Sequence, residues 1–113
     1  MEHPAFSEYA LELIAHRFKL LAEPMRLRLL QILLAGELSV KDLVEKTGAN
    51  QANISKHLGI LLDGGVISRR KAGTVVFYRI TDPSILTLCD IVCRSLAERY
   101  EEARLTLRNE EEG

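Results

Sequence analysis

The stretch from Ser39 to Ile80 constrains this chain more than any other part of it. Ser39 stands where a helix N-cap belongs, and Asp42 follows three residues later, as in a capping box. Val40, Leu43 and Val44 give the helix between them and Gly48 a short apolar face. Gly48 ends that helix, because glycine takes the left-handed C-terminal conformation cheaply. Asn50 caps a second helix, in which Ile54, Leu58, Leu61 and Leu62 recur at the helical period. Its other face, Gln51, Asn53, Ser55, Lys56 and Gly59, is polar or small, and Gly64 and Gly65 stop it. Two β-type runs follow, Val66 to Arg70 and Val75 to Ile80, joined at Lys71-Ala72-Gly73-Thr74.

Helix, tight turn, helix with a polar outer face, then a basic hairpin is the pattern of a winged helix-turn-helix, a shape suited to a DNA major groove. The charge distribution agrees with it. The whole chain carries a net charge of −1. Between Ser39 and Thr81, however, seven basic residues face three acidic ones, a balance of +4, which leaves −5 for the remainder. The basic seven are Lys41, Lys46, Lys56, Arg69, Arg70, Lys71 and Arg79. A local cationic face on a near-neutral protein is the footprint that phosphate binding needs, although a solvated surface with uneven charge has the same signature.

The flanking segments read as helices. Phe6, Ala10, Leu13, Ile14, Phe18 and Leu21 fall on one stripe, which predicts an amphipathic helix over 5–21. Glu23-Pro24 breaks it and starts another, since proline suits the first helical position. Met25, Leu27, Leu29, Leu30, Ile32, Leu33 and Leu34 are apolar nearly all round, as in a buried central helix. Arg26 and Arg28 interrupt this one and must reach solvent or a carboxylate, and Gly36 ends it. Thr81-Asp82-Pro83 repeats the start signal, a capping residue and then proline, for a long helix over 83–107. Ile85, Leu88, Cys89, Val92, Cys93, Leu96 and Tyr100 form its apolar stripe. So apolar a terminal helix needs a partner. The first helix supplies part of that surface, and a second copy of the chain the rest. A two-fold dimer also sets two reading helices about one DNA turn apart. Arg108 to Gly113 reads as a frayed acidic tail.

At 113 residues the chain has the length of one domain, 1–113, with 47% apolar residues to fill a core. No run of about 18 apolar residues is present, so no membrane span is implied. Met1 to Tyr9 lacks the apolar core of a signal peptide, which points to the cytoplasm. Two cysteines four apart are not a disulfide framework. His3 and His16 are isolated and read as surface or core filler.

Three motifs carry a family resemblance. Leu21-Ala22-Glu23-Pro24-Met25-Arg26-Leu27-Arg28-Leu29-Leu30 resembles the second-helix signature of the ArsR/SmtB bacterial repressors. Asn53-Ile54-Ser55-Lys56-His57-Leu58 resembles that family's recognition helix, and Gly73 to Ile80 its wing. The likeness runs over roughly 5–100. It implies a mainly α fold with a small β-hairpin: four helices, two strands, and a fifth helix, in a homodimer. It also implies an inverted-repeat operator in double-stranded DNA, released when an inducer binds, and no cofactor. The family's metal sites do not carry over. Where thiol-type sensors place cysteines, this chain has Glu37-Leu38-Ser39-Val40-Lys41-Asp42. At the last-helix site Asp82 and Glu98 match, but Ser84 and Ser95 stand at the histidine positions, a poor zinc set. Gly59 to Asp63 also lacks the cysteines of another subgroup.

The residues expected to meet DNA are Gln51, Asn53, Ser55 and Lys56 in the groove, with His57 peripheral. Gln and Asn bond an adenine edge in two places. Lys56, Arg69, Arg70 and Lys71 suit phosphates, or minor-groove entry by the hairpin, and Thr74 adds a hydroxyl. Cys89 and Cys93 lie one turn apart on one helix face. They read either as small hydrophobic packing or as sensor thiols. As sensors, two copies across a dimer axis bring four thiols together, for disulfide or polysulfide links or for a soft ion such as As(III) or zinc. A repressor with no inducer site is the further alternative. The enzyme reading has no support: there is no glycine-rich phosphate loop, no HExxH and no nucleophile–base pattern. A winged-helix protein adaptor predicts an apolar second turn helix instead of Gln51, Asn53, Ser55 and Lys56.

Overall fold

The computed structural model describes residues 5–100. His3, the continuation of the last helix to Leu107 and the tail from Arg108 to Gly113 lie outside the described residues. The elements run α1 (Glu8–Leu21), α2 (Pro24–Leu33), β1 (Leu38–Ser39), α3 (Val40–Thr47), α4 (Gln51–Asp63), β2 (Ile67–Ala72), β3 (Val75–Ile80) and α5 (Ser84–Arg99). The chain divides after Asp82 into two compact units, described in turn.

In the first unit the local signals act as read. Ser39 Oγ accepts from the Asp42 N–H at 3.2 Å, and Asp42 Oδ2 accepts from the Ser39 N–H at 3.0 Å, a complete capping box. Gly48 closes α3 at φ 74°, donating its N–H to Val44 O at 2.8 Å. Asn50 caps α4 through its Oδ1, which accepts from the Asn53 N–H at 2.8 Å. Glu23 caps α2, its Oε1 accepting from the N–H groups of Met25 and Arg26 at 2.7 and 3.2 Å. The core these elements enclose is aliphatic: Leu29, Leu30 and Leu33 from α2, Leu43 from α3, and Ile54, Leu58 and Leu61 from α4. Val66 and Ile67 seal it from the sheet side.

The capping box has a consequence for acid stability. The hydrogen bonds from Ser39, backbone first and hydroxyl second, hold the Asp42 carboxyl below its ordinary pKa. With the folded value below the unfolded one, the box stabilises fully above the ordinary carboxylate range. Its contribution is lost as pH falls through the folded value. Asp42→Asn is expected to flatten the acid limb of a thermal-stability profile, and an acid limb identical to the parent's contradicts the assignment.

Four boundaries differ from expectation. Helix α1 starts at Glu8 rather than residue 5, because Ser7 Oγ caps it by accepting from the Ala10 N–H at 3.0 Å. The hairpin has a third strand: Leu38–Ser39 pairs antiparallel with β3, giving the order β1-β3-β2. A two-residue strand is too short to show an alternation in sequence. The β2–β3 register runs from Ile67↔Ile80 to Ala72↔Val75, so Gly73 and Thr74 alone form the turn. Gly64 ends α4 without leaving helical angles; it is small because a Cβ there would lie 2.5 Å from Leu20 Cδ2.

Helix α2, expected to be buried all round, is buried on one side only: Leu29, Leu30 and Leu33 are enclosed, whereas Leu27 and Leu34 are exposed. On α1 only Leu20 and Leu21 are buried. Phe6, which precedes α1, and Tyr9, Leu11, Leu13 and Phe18 within it lie open, Tyr9 at 71% and Leu13 at 54%.

The second unit is α5. Pro83 itself takes the N-cap position and offers no side-chain cap bond. Asp82 accepts from Arg17 Nη1 at 3.0 Å, an ion pair inside the first unit. Along α5, Ile91, Val92 and Leu96 are exposed, as is Tyr100 after it.

Candidate nucleic-acid interface

Successive residues on a helix turn by about 100°, and this decides which α4 side chains face outward. Gln51, Ser55 and Lys56 are exposed and Asn53 is half-buried. Ala52 shares the open face, a position that its small apolar side chain did not single out in the sequence. A methyl group there suits the 5-methyl of thymine. The inward side carries Ile54, Leu58 and Leu61.

His57 corrects an expectation. Placed at the rim of the DNA face by its sequence neighbours, it is only 6% exposed. One step past Lys56 turns it onto the packed side, where Arg26 Nη1 lies 3.1 Å from its Nδ1. A guanidinium only donates, so this interaction makes Nδ1 the acceptor and puts the ring proton on Nε2. Nε2 faces the Glu23 carboxylate at 3.9 Å. Arg26 in turn donates from Nε to Leu20 O at 2.7 Å and from Nη2 to Lys19 O at 3.4 Å. One arginine thus ties the last carbonyls of α1 to the inner face of α4. The sequence showed only that Arg26 needed a partner.

The hairpin's basic run is not one patch. Strand side chains alternate between faces, so Arg69 and Lys71 point one way and Arg70 the other. Arg69 and Lys71 are exposed opposite Tyr78 and Val76. Arg70, expected among the DNA cations, is engaged within the protein. Its Nε lies 3.0 and 2.9 Å from the two Glu37 oxygens and its Nη2 lies 2.9 Å from Oε1. Its guanidinium also sits 5.1 Å from the centroid of Phe77. The hydrogen bond to Glu37, and then its charge, raise the Arg70 pKa. Arg79 Nε approaches Glu37 Oε2 at 3.9 Å. Thr74 is exposed at the turn. Gln51, Ser55, Lys56, Arg69, Lys71 and Thr74 are exposed on the first unit, and so is Arg70 although it is paired.

On α5, Cys89 and Cys93 are free thiols, both half-buried. Burial, and then the Asp90 charge, push the Cys89 thiol above its ordinary pKa, which disfavours the reactive thiolate. Among the described residues no three His, Cys, Asp or Glu side chains cluster as a metal site. No described helix is long and apolar enough to cross a membrane.

Comparison with known proteins bears on this arrangement. Residues 23–69 match the model of the bacterial regulatory protein arsR family. A probable mercury resistance operon repressor of Streptomyces lividans is 40% identical over 83 residues, spanning 74% of this chain and 66% of that one. The HTH-type transcriptional regulator Rv0081 of Mycobacterium tuberculosis is 36% identical over 92 residues, 80% of this chain and 81% of its own. Its crystal structure superposes with a TM-score of 0.73 at 34% identity, covering 85% of this chain and 97% of that one. A solution structure of a homodimeric winged helix-turn-helix DNA-binding domain from Mycobacterium bovis gives a TM-score of 0.69 at 31% identity, over 88% and 93% of the two chains. The chain belongs to the ArsR family of bacterial regulatory proteins, winged helix-turn-helix regulators of transcription that bind DNA and are not enzymes.

Proposed function

We propose that this protein is a cytoplasmic, homodimeric transcriptional repressor that holds an inverted-repeat operator and leaves it when an inducer acts. The observation that carries this reading is the open polar face of α4, Gln51, Ser55 and Lys56, borne on a helix whose opposite side is sealed into an aliphatic core. Rigid backing lets a few side chains meet base edges at fixed spacing. Arg69, Lys71 and Thr74 on the hairpin supply interactions with the backbone. The uncovered apolar residues of α1 support a second copy as partner, and the Streptomyces relative supports repression.

The test is a salt titration of binding to a duplex selected from random sequence. The Lys56→Ala, Arg69→Ala, Lys71→Ala variant is expected to bind more weakly and with a shallower slope. The slope of log K against log salt falls by about 0.9 for each phosphate that the protein no longer neutralises. An unchanged slope contradicts the assigned face.

The inducer reading rests on the two reduced thiols one turn apart on α5. An oxidant such as a polysulfide would take two electrons and two protons from a pair of thiols as a disulfide forms. A soft ion such as As(III) would displace the thiol protons instead. The raised pKa of Cys89 lowers the share of its thiolate, the form through which either reagent acts. In a DNA-release assay the Cys89→Ser, Cys93→Ser variant is expected to stay bound under polysulfide and arsenite. Release equal to the parent's removes the thiols from the account.

A further inference from the structure

Glu37 meets two hairpin arginines at once, pairing with Arg70 and drawing Arg79 near. Its place follows from the register. Leu38 pairs with Tyr78 and Ser39 with Phe77, so Glu37 falls opposite Arg79, one step beyond the pairing, on the face that carries Arg70 and Phe77. Arg70 lies back over the Phe77 ring and turns its fork to the carboxylate. A guanidinium meets a DNA phosphate with that same two-pronged geometry. The Arg70 side chain is nonetheless 55% exposed, so a phosphate can reach it.

We propose that Glu37 is a built-in phosphate mimic that occupies Arg70 and Arg79 and so limits how strongly the hairpin holds DNA of any sequence. The proposal rests on the DNA-binding reading above and adds a regulator of it. A duplex that is to use these arginines must first displace a carboxylate. Phosphate interactions carry no sequence information, so a protein with fewer of them depends more on base readout by α4. Glu37 on this account sets the ratio of specific to non-specific binding, the quantity that matters among many competing sites.

The test uses the full-length protein and a mixed-sequence duplex, which needs no knowledge of the operator. Glu37→Gln is expected to bind several-fold more tightly at low salt. Its slope of log K against log salt should steepen by about 0.9 for each arginine that takes up a phosphate. Glu37→Asp keeps the charge but loses the reach, and is expected to tighten binding as well. That result separates release of the arginines from simple removal of a negative charge. In an Arg70→Ala, Arg79→Ala background the tightening by Glu37→Gln should vanish. Tightening of equal size in both backgrounds overturns the proposal, as does its absence in the parent background while the parent itself binds. A parent that binds no duplex at any salt concentration overturns the DNA-binding reading, and this proposal with it.

Discussion

Leu13→Glu should turn the proposed dimer into monomers and weaken DNA binding with it. Leu13 lies in the middle of α1, 54% exposed, one turn after the open Tyr9. Leu20 and Leu21 are the only residues of this helix buried in the chain itself. In a two-fold interface each residue is used twice, so one substitution removes two buried leucines and adds two carboxylates. Burying a leucine is worth about 1.5–3 kcal/mol, so the dimer dissociation constant should rise about a thousandfold. Sedimentation equilibrium reads this directly. Glu12→Gln, one residue away and exposed, should leave the association unchanged. A Leu13→Glu protein that remains dimeric at the parent's concentration moves the interface elsewhere.

Arg26→Ala carries the largest expected loss of stability away from the aliphatic core. It removes three interactions at once: Nε to Leu20 O, Nη2 to Lys19 O, and Nη1 to the buried His57 ring. The two carbonyls belong to the last turn of α1, where helical donors run out, although Lys19 O also accepts from the Ala22 N–H at 3.2 Å. His57 would be left buried with an acceptor lacking its donor, and such a group costs its full desolvation. About 2–3 kcal/mol is expected, the range for hydrogen bonds from a charged donor. That should lower the melting temperature by about 10 °C or more in a domain of this size. Arg26→Lys should rescue little, because an ammonium cannot span three acceptors set in a fork. Arg28→Ala, at an exposed position two residues on, should shift stability by less than about 0.5 kcal/mol. A melting temperature for Arg26→Ala equal to that of Arg28→Ala contradicts the strap.

What the sequence disclosed and what it withheld divide along a physical line. Ser39 with Asp42, Gly48, and Asn50 were legible because a cap satisfies N–H groups within one turn, so donor and acceptor are sequence neighbours. The helical period of Ile54, Leu58 and Leu61 was legible for the same reason. The partners of Arg26 and Arg70 were not, because His57 and Glu37 lie 31 and 33 residues away and only the fold brings them near. Part of the correction follows from residue order alone. The pleat of a strand separates Arg70 from Arg69 and Lys71, and the 100° step separates His57 from Lys56. A run of cations along a strand is therefore two surfaces, not one. The short strand Leu38–Ser39 had no signature of its own; its partners on β3, Tyr78 and Phe77, are remote in sequence.

The central claim is that two copies of α4 and its hairpin read DNA together, and a hydroxyl-radical footprint on a duplex selected from random sequence tests it most directly. The expected pattern is two protected segments related by a two-fold axis, their centres about 34 Å, one helical turn or a multiple of it, apart. A single protected segment without symmetry, or protection that survives Gln51→Ala, Ser55→Ala and Lys56→Ala combined, would contradict it.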